Sequence, residues 1–537
     1  MLKTLLASFA ILLATATLAR AQAADVLLVN GKVLTVDAQF STRNALAIRG
    51  GRIVAVGSDA DVKKLSGPAT RTIDLQGRTV IPGLIDSHMH AIRAALSFAT
   101  EVNWIGASSL AEGLNRIHEA ALRARPGAWL IVATPAATLD TFKEPRRPTQ
   151  SELVAAAADH PAYVQLGYGW ALLTPMALQA LNLKSDTGVV TDNLVELFDR
   201  LPKPTFDDQV AGTKLFFREL NRLALTGVVD ECGNNVTPQE YQAIFKVWRD
   251  GELTIRVPYM VCGFTEGHEF EDYKNYLALM PQGFGDAMLR FNGIGERITW
   301  AMQGVNGVPP ADAQQKYYEI VRWAAQHNFS LTMHWNTDAN VDVLLGIWER
   351  VNAEFPIKNL RWSIAHINDA SPKTLARMKD LGIGWTVQDA AYNTSNEALK
   401  RNAEALKRQP PVNTGKNIGV VIGAGTDAHR VSTYNPFTVL QWFIDGKNAS
   451  GTPLRGAAET PTRADALRFY TVGSAWMSFD EKERGSLEVG KLADLAVLTK
   501  DYMTIPVNEI GRLESLLTMV GGNVVYAAGP YAALDKR

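Results

Sequence analysis

Cysteine is nearly absent: the 537 residues hold two, Cys232 and Cys262. That excludes a small disulfide scaffold and any four-cysteine zinc ribbon. Neither sign of charge is in excess, with Lys+Arg 54 against Asp+Glu 55, a formal net charge of -1. Such a balance carries no field for a polyanion, so no nucleic-acid partner is expected. Beyond the first twenty residues no apolar run reaches the ~18 residues of a membrane-spanning helix. Histidine is scarce as well, 9 in all, so positions where imidazoles gather carry information. What remains is globular: 47% hydrophobic and 20% charged, with length for about three domains or one large barrel with insertions.

The chain opens with Lys3, then the uncharged apolar run LLASFAILLATATLA (5–19), then small residues two apart in ARA and AQA (19–23). This is the pattern of a secretory signal peptide over 1–23, ending at Ala21 or Ala23. No cysteine follows it to carry a lipid. The expected mature protein is periplasmic or secreted, without a stable membrane anchor. The two cysteines close expected strands in GVVDECG and RVPYMVCG. An oxidising compartment would permit a bridge between them, but the simpler reading is two small buried hydrophobes.

Residues 24–80 have the texture of β-strands. Asn30-Gly31 and Gly50-Gly51 supply the positive φ that tight hairpins need. A similar texture returns over 476–537, in GSLEVGKLADLAVLTKD and LLTMVGGNVVYAAG. Neither end can bury a sheet alone, so both are expected to form one small β-sandwich. Between them, 81–475 alternates short apolar runs with helical stretches, the signature of βα units. Strand candidates are IPGLIDSHMH (81–90), GVVDEC (227–232), TIRVPYMV (254–261), MLRFNGIG (288–295), LTMHW (331–335), RWSIAH (361–366), IGWTVQ (383–388) and VIGAGTD (421–427). Eight such units fit an α/β fold of the distorted (β/α)8 TIM-barrel type. An insertion at about 95–220 holds two further strand-like runs.

Ligand-type residues collect where these strands stop. His88 and His90 are two apart, and alternate residues of a strand share a face. His334 lies near the end of LTMHW, His366 ends RWSIAH, and Asp427 ends VIGAGTD. Barrel active sites lie at the C-terminal ends of strands, so all five converge on one mouth. Four imidazoles and a carboxylate suit a divalent ion, zinc first, with manganese, iron or nickel as alternatives. Such sites keep a position for water, and a carboxylate beside it takes its proton and hands it to a leaving amine. Asp427 is the expected base. His429, two residues on, is a candidate for touching substrate. His118, His160, His268 and His327 are assigned solvated or packing roles. Trp335, Trp170, Phe437 and Trp442 are candidates for an aromatic pocket.

IPGLIDSHMH, His334, His366, the TDA at 426–428 and the tail RGSLEVGKLADLAVLTKD resemble the metal-dependent amidohydrolase superfamily. The long insertion after the first strand is similar to its YtcJ-like branch, amidohydrolase family 3. The resemblance covers about 25–530. It implies a barrel plus a sandwich from both termini, His88 and His90 on a buried metal, His334 and His366 on a more exposed metal or a substrate oxygen, and Asp427 as ligand and base. It also implies a bridging carboxylated Lys on the fourth strand. In MLRFNGIGE that position aligns with Arg290, whose guanidinium cannot accept the modification. Hence either one ion is bound, or another carboxylate, Glu296 the nearest, bridges two.

The expected activity is hydrolysis of a C–N bond, in an amide, N-acyl, N-formyl or cyclic amide, by metal-bound hydroxide with an Asp as general base. Alternatives on the same site are deamination or ester and lactone hydrolysis. A non-catalytic exported regulatory or binding protein on the same scaffold is the alternative of another class. The partner is a small molecule, and a homo-oligomer is compatible with this composition.

Overall fold

A computed structural model describes residues 23–234, 236–302, 307–388 and 404–535. The expected signal segment, 1–23, lies outside these residues except for Ala23. The fold is mixed α/β. Its centre is made of eight parallel strands in chain order: β1 (Leu84–Met89), β2 (Leu225–Asp230), β3 (Val257–Val261), β4 (Leu289–Ile294), β5 (Thr332–Trp335), β6 (Ser363–His366), β7 (Gly384–Val387) and β8 (Ile422–Ala424). They form two four-stranded sheets, β4-β3-β2-β1 and β5-β6-β7-β8. A helix follows each strand, from Ala91–Ser97 after β1 to Pro436–Asp445 after β8. Parallel neighbours require such crossovers, and the helices cover apolar strand faces that would otherwise meet water.

The two sheets meet at both edges. Ile294 bridges Leu331 between β4 and β5, and the Asp427 amide donates to the His88 carbonyl at 2.9 Å between β8 and β1. Each junction holds a glycine where backbones approach too closely for a side chain. A Cβ at Gly293 would lie 2.3 Å from the Ser330 carbonyl oxygen, and one at Gly425 would lie 2.7 Å from the His88 nitrogen. Asp86 tightens the second junction by accepting from the amides of His88, at 3.0 Å, and Thr426, at 3.1 Å.

Both termini share one sheet. Thr79–Pro82, from the N-terminal side, pairs antiparallel with Leu495–Leu498, which continues into Ser515–Val520 and Asn523–Ala527. A second sheet of Arg52–Gly57, Ala45–Arg49, Val26–Val29 and Arg71–Asp74 faces the same apolar cluster, in which Leu28, Ile48, Val80, Leu495 and Leu517 are buried. Gly50-Gly51 makes the expected hairpin, with φ of 55° and 75°. Asn30-Gly31 does not. Its flanking strands enter different sheets, so this turn is a corner that carries the chain between layers. Between β1 and β2 the insertion has its own sheet, Val189–Val190, Trp170–Leu173, Ala162–Leu166 and Leu130–Thr134.

Cys232 and Cys262 are joined as a disulfide with Cα atoms 6.0 Å apart. The reading as separate buried thiols is therefore corrected. Each cysteine lies just past the end of β2 or β3, two adjacent parallel strands, and that separation is within disulfide reach.

Candidate metal centre

The C-terminal ends of the parallel strands bring together six ligand-type side chains. His88 is the fifth residue of β1, and His90 follows the strand at the start of helix Ala91–Ser97. His334 lies in β5 and His366 ends β6. Glu296 is two residues past β4 and Asp427 three past β8. Within three overlapping triads, His88/His90/Glu296, His88/His366/Asp427 and Glu296/His334/His366, the donor atoms all lie within 4.8 Å of one another. His366 and Asp427 reach the cluster from left-handed backbone, with φ of 72° and 56°. Non-glycine residues adopt it at a cost in strain that concentrates at functional sites.

Glu296 is at the centre. Its Oε2 is 2.9 Å from His334 Nδ1, 3.3 Å from His366 Nε2 and 3.4 Å from His88 Nε2, while Oε1 is 3.5 Å from His90 Nε2. Asp427 Oδ1 lies 3.1 Å from His90 Nε2 and 3.6 Å from His88 Nε2. The second ring nitrogen of His90, Nδ1, is 2.8 Å from the Cys232 carbonyl. A carbonyl can only accept, so Nδ1 carries the proton and Nε2 presents its lone pair.

The unpaired polar atoms of the site suit a cation. His88 is fully buried, and among the described residues neither of its ring nitrogens has a hydrogen-bond partner. His334 Nδ1 and His366 Nε2 are 2.8 Å apart, a pair that cannot both be protonated there. Buried nitrogen atoms this crowded and this short of donors match a divalent ion bound by imidazole and carboxylate.

Electrostatics agrees. Burial alone would raise Asp427, yet the His88 and His90 imidazoles beside it hold its carboxyl far below the usual range. Glu296 behaves alike: burial opposes its charge, and His334 and His88 outweigh it. Burial lowers His366, helped by the like charge of His334. Glu231, just past β2, is the converse. Burial, reinforced by the charge of Glu296, raises its carboxyl well above the ordinary value. It accepts from Thr332 Oγ1 at 3.0 Å.

Several expected contacts are placed elsewhere. Arg290 is at the far end of β4 from Glu296, where it pairs with Asp480 at 2.7 Å and with the Ser478 carbonyl. Glu296, not Arg290, is the fourth-strand residue among the histidines. Trp335 is core, because alternate strand residues face opposite sides; its ring N–H donates to the Met302 carbonyl at 2.9 Å. Trp170 is buried in the insertion's own core beneath the Arg147 guanidinium. Phe437 and Trp442 are buried in helix Pro436–Asp445. His429 turns away from the cluster, with Nε2 3.3 Å from Glu101. Of the other histidines, His118, His268 and His327 are exposed and His160 Nδ1 donates to the Ala128 carbonyl at 2.8 Å.

The cluster opens on a cavity of about 90 Å³ lined by His90, Glu296, His334 and Asp427 together with Arg93, Arg297, Tyr168 and Asn234. The last four escaped the sequence reasoning. The spacing was a signal for two of them: Arg93 is one helical turn beyond His90, and Arg297 directly follows Glu296.

A parallel-strand scaffold with imidazole and carboxylate ligands at its C-terminal edge defines a class of metal-dependent hydrolases. The chain belongs to the amidohydrolase family, whose sequence pattern matches residues 71–526. It is 25% identical over 561 residues to an N-substituted formamide deformylase of Arthrobacter pascens, across 94% of this chain and 99% of that protein. YtcJ of Bacillus subtilis, named as an amidohydrolase, is 22% identical across 92% of this chain and 98% of its own. Among solved structures, an uncharacterized metal-dependent hydrolase from Pyrococcus horikoshii superposes with a TM-score of 0.66 at 21% identity, covering 90% of this chain and 99% of that one. The protein is thus an enzyme of the amidohydrolase family.

Proposed function

We propose that this enzyme is exported and hydrolyses a carbon–nitrogen bond of amide type, with His88, His90, Glu296, His334, His366 and Asp427 holding one or two zinc ions. The convergence of those six donors, with His88 otherwise unpaired, carries this reading. Meeting of the two parallel sheets at both edges supports a closed (β/α)8 barrel over 81–475, interrupted at about 95–220. The shared terminal sheet supports a β-sandwich built from 24–80 and 476–537. Export rests on the signal-like segment at 1–23.

When bound, the ion lowers the pKa of water and polarises a carbonyl. The side chains do the rest. Glu296 belongs to two of the three ligand triads, so it takes the place expected of a bridging group and allows a two-ion site. Asp427 is kept ionised by His88 and His90, so it can accept the proton of the attacking water and return it to the departing nitrogen. The Cys232 carbonyl fixes the His90 tautomer. The site is buried, which excludes bulk water and strengthens each of these interactions.

Chelation followed by metal return tests the proposal. Hydrolysis across an amide panel, followed as amine and carboxylate release, should disappear on chelation and reappear with zinc. Activity that survives complete metal removal would reject it.

A further inference from the structure

The metal cavity contains more positive charge than the ligands account for. Arg93 and Arg297 both line it, and each is only 4% exposed. Arg93 uses one nitrogen, Nη1, which donates to Tyr168 Oη at 3.1 Å. Among the described residues its Nε and Nη2 have no partner. Arg297 donates from Nη1 to Asn234 Oδ1 at 2.8 Å and from Nη2 to the Gly263 carbonyl at 3.3 Å, and its Nε has no partner among the described residues. Its guanidinium is stacked on Trp300, 3.9 Å from the ring centre, so it is fixed in place.

The carboxylates nearby are already engaged. Glu296 and Asp427 face the histidines. Asp230, which feels the charge of Arg93, accepts from the Ile92 amide at 2.8 Å and the Cys232 amide at 3.2 Å. Glu101 faces His429 and Arg430. Burying a guanidinium with unsatisfied N–H groups costs several kcal/mol unless an anion meets it. A planar fork of donors suits a carboxylate in particular.

We infer that Arg93 and Arg297 bind an anionic group of the substrate, so that the enzyme selects amides carrying a carboxylate close to the scissile bond over neutral amides. This rests on the amide-hydrolase reading of the metal cluster and adds a substrate class to it. Arg93 supplies two free donors and Arg297 one, and the cavity of about 90 Å³ brings them to the same space as Asp427 and His334. Trp335 and Trp170 are both in cores and do not line that space.

The test uses N-acetyl and N-formyl derivatives of glycine, alanine and phenylalanine, each paired with the amide of the decarboxylated amine. The zinc-loaded wild type should favour the carboxylate member by about 100-fold in kcat/KM, the worth of a charged hydrogen-bonded contact. Arg93→Gln should lose that preference by lowering kcat/KM far more for the carboxylate member than for the neutral member. Arg93→Lys, which keeps the charge and provides a folding control, should restore part of it. Equal use of both members by the wild type, or an equal loss for both in Arg93→Gln, would overturn the inference. If neither member is hydrolysed, the amide-hydrolase reading fails for this panel, and calorimetric binding of N-acetylglycine decides the anion site separately. Binding by wild type that Arg93→Gln abolishes upholds the site; no binding, or equal binding by both, overturns it.

Discussion

Asp427 and Glu296 carry comparable charge in the same cluster, yet their surroundings assign them different work. Asp427 Oδ1 faces the paired histidines of the first strand, whereas Glu296 reaches all four imidazoles. Asp427→Asn removes the proton acceptor and should lower kcat by about 10²–10⁴-fold, with an unchanged far-ultraviolet circular dichroism spectrum. Turnover equal to wild type would show that another group is the base. Glu296→Gln should instead reduce the metal bound per chain, measured by elemental analysis, because Glu296 is shared by two ligand triads. A third residue-scale effect lies far from the metal. Burial alone would raise Asp480, but Arg484 and Arg290 outweigh it and lower the carboxyl below its ordinary 3.8. A depressed carboxyl stabilises the fold above its unfolded pKa and loses that contribution as pH falls through the folded value. Melting temperature should therefore drop as pH falls below about 4, and Asp480→Asn should flatten that part of the profile.

At the scale of elements, the positions of the strands were legible and the contacts at their ends only partly so. Seven of the eight expected runs contain the observed parallel strands, and the run at 227–232 overlaps a strand that begins two residues earlier, at Leu225, because apolar residues bounded by glycine and turn residues give a strong local signal. The same signal placed His88, His366 and Asp427 at strand ends. It could not orient the aromatics: Trp335 directly follows His334, and the strand period of two sends it to the core. On the fourth strand, alignment to a Lys motif fell on Arg290, at the strand's other end, while Glu296, the alternative bridging carboxylate, is the residue that lies among the histidines. The Asn30-Gly31 corner shows the same limit. Turn chemistry specifies a reversal of backbone, not which sheet receives the next strand. Gly425 is a sharper case, where a Cβ would lie 2.7 Å from the His88 nitrogen. Gly425→Ala should therefore lower the melting temperature, at an overpacking cost of about 1–3 kcal/mol, and reduce metal content by displacing Asp427. A variant as stable and as metal-rich as wild type would contradict the tight junction.

Across the whole molecule, the terminal sheets and the central strands are clamped by ions that no local pattern reveals. Arg256, just before β3, makes a bidentate pair with Asp494 at 2.7 and 3.0 Å, and Asp494 also accepts from the Gly521 amide. Both partners are buried. Removing one side of such a pair leaves an uncompensated charge, so Asp494→Ala should destabilise the protein by about 3–5 kcal/mol, read as a shift in denaturant midpoint. Pairings between residues 238 positions apart are set by the packing of the complete chain. The six proposed ligands likewise come from five separate strand ends over His88–Asp427, which is why the sequence could suggest their meeting but not the distances.

The most direct measurement is anomalous scattering at the zinc edge from a crystal of the zinc-loaded enzyme. The account predicts a peak within about 2.0–2.2 Å of imidazole nitrogens and a carboxylate oxygen drawn from His88, His90, Glu296, His334, His366 and Asp427. A zinc peak bound elsewhere, with these six side chains making no contact to metal, would contradict it.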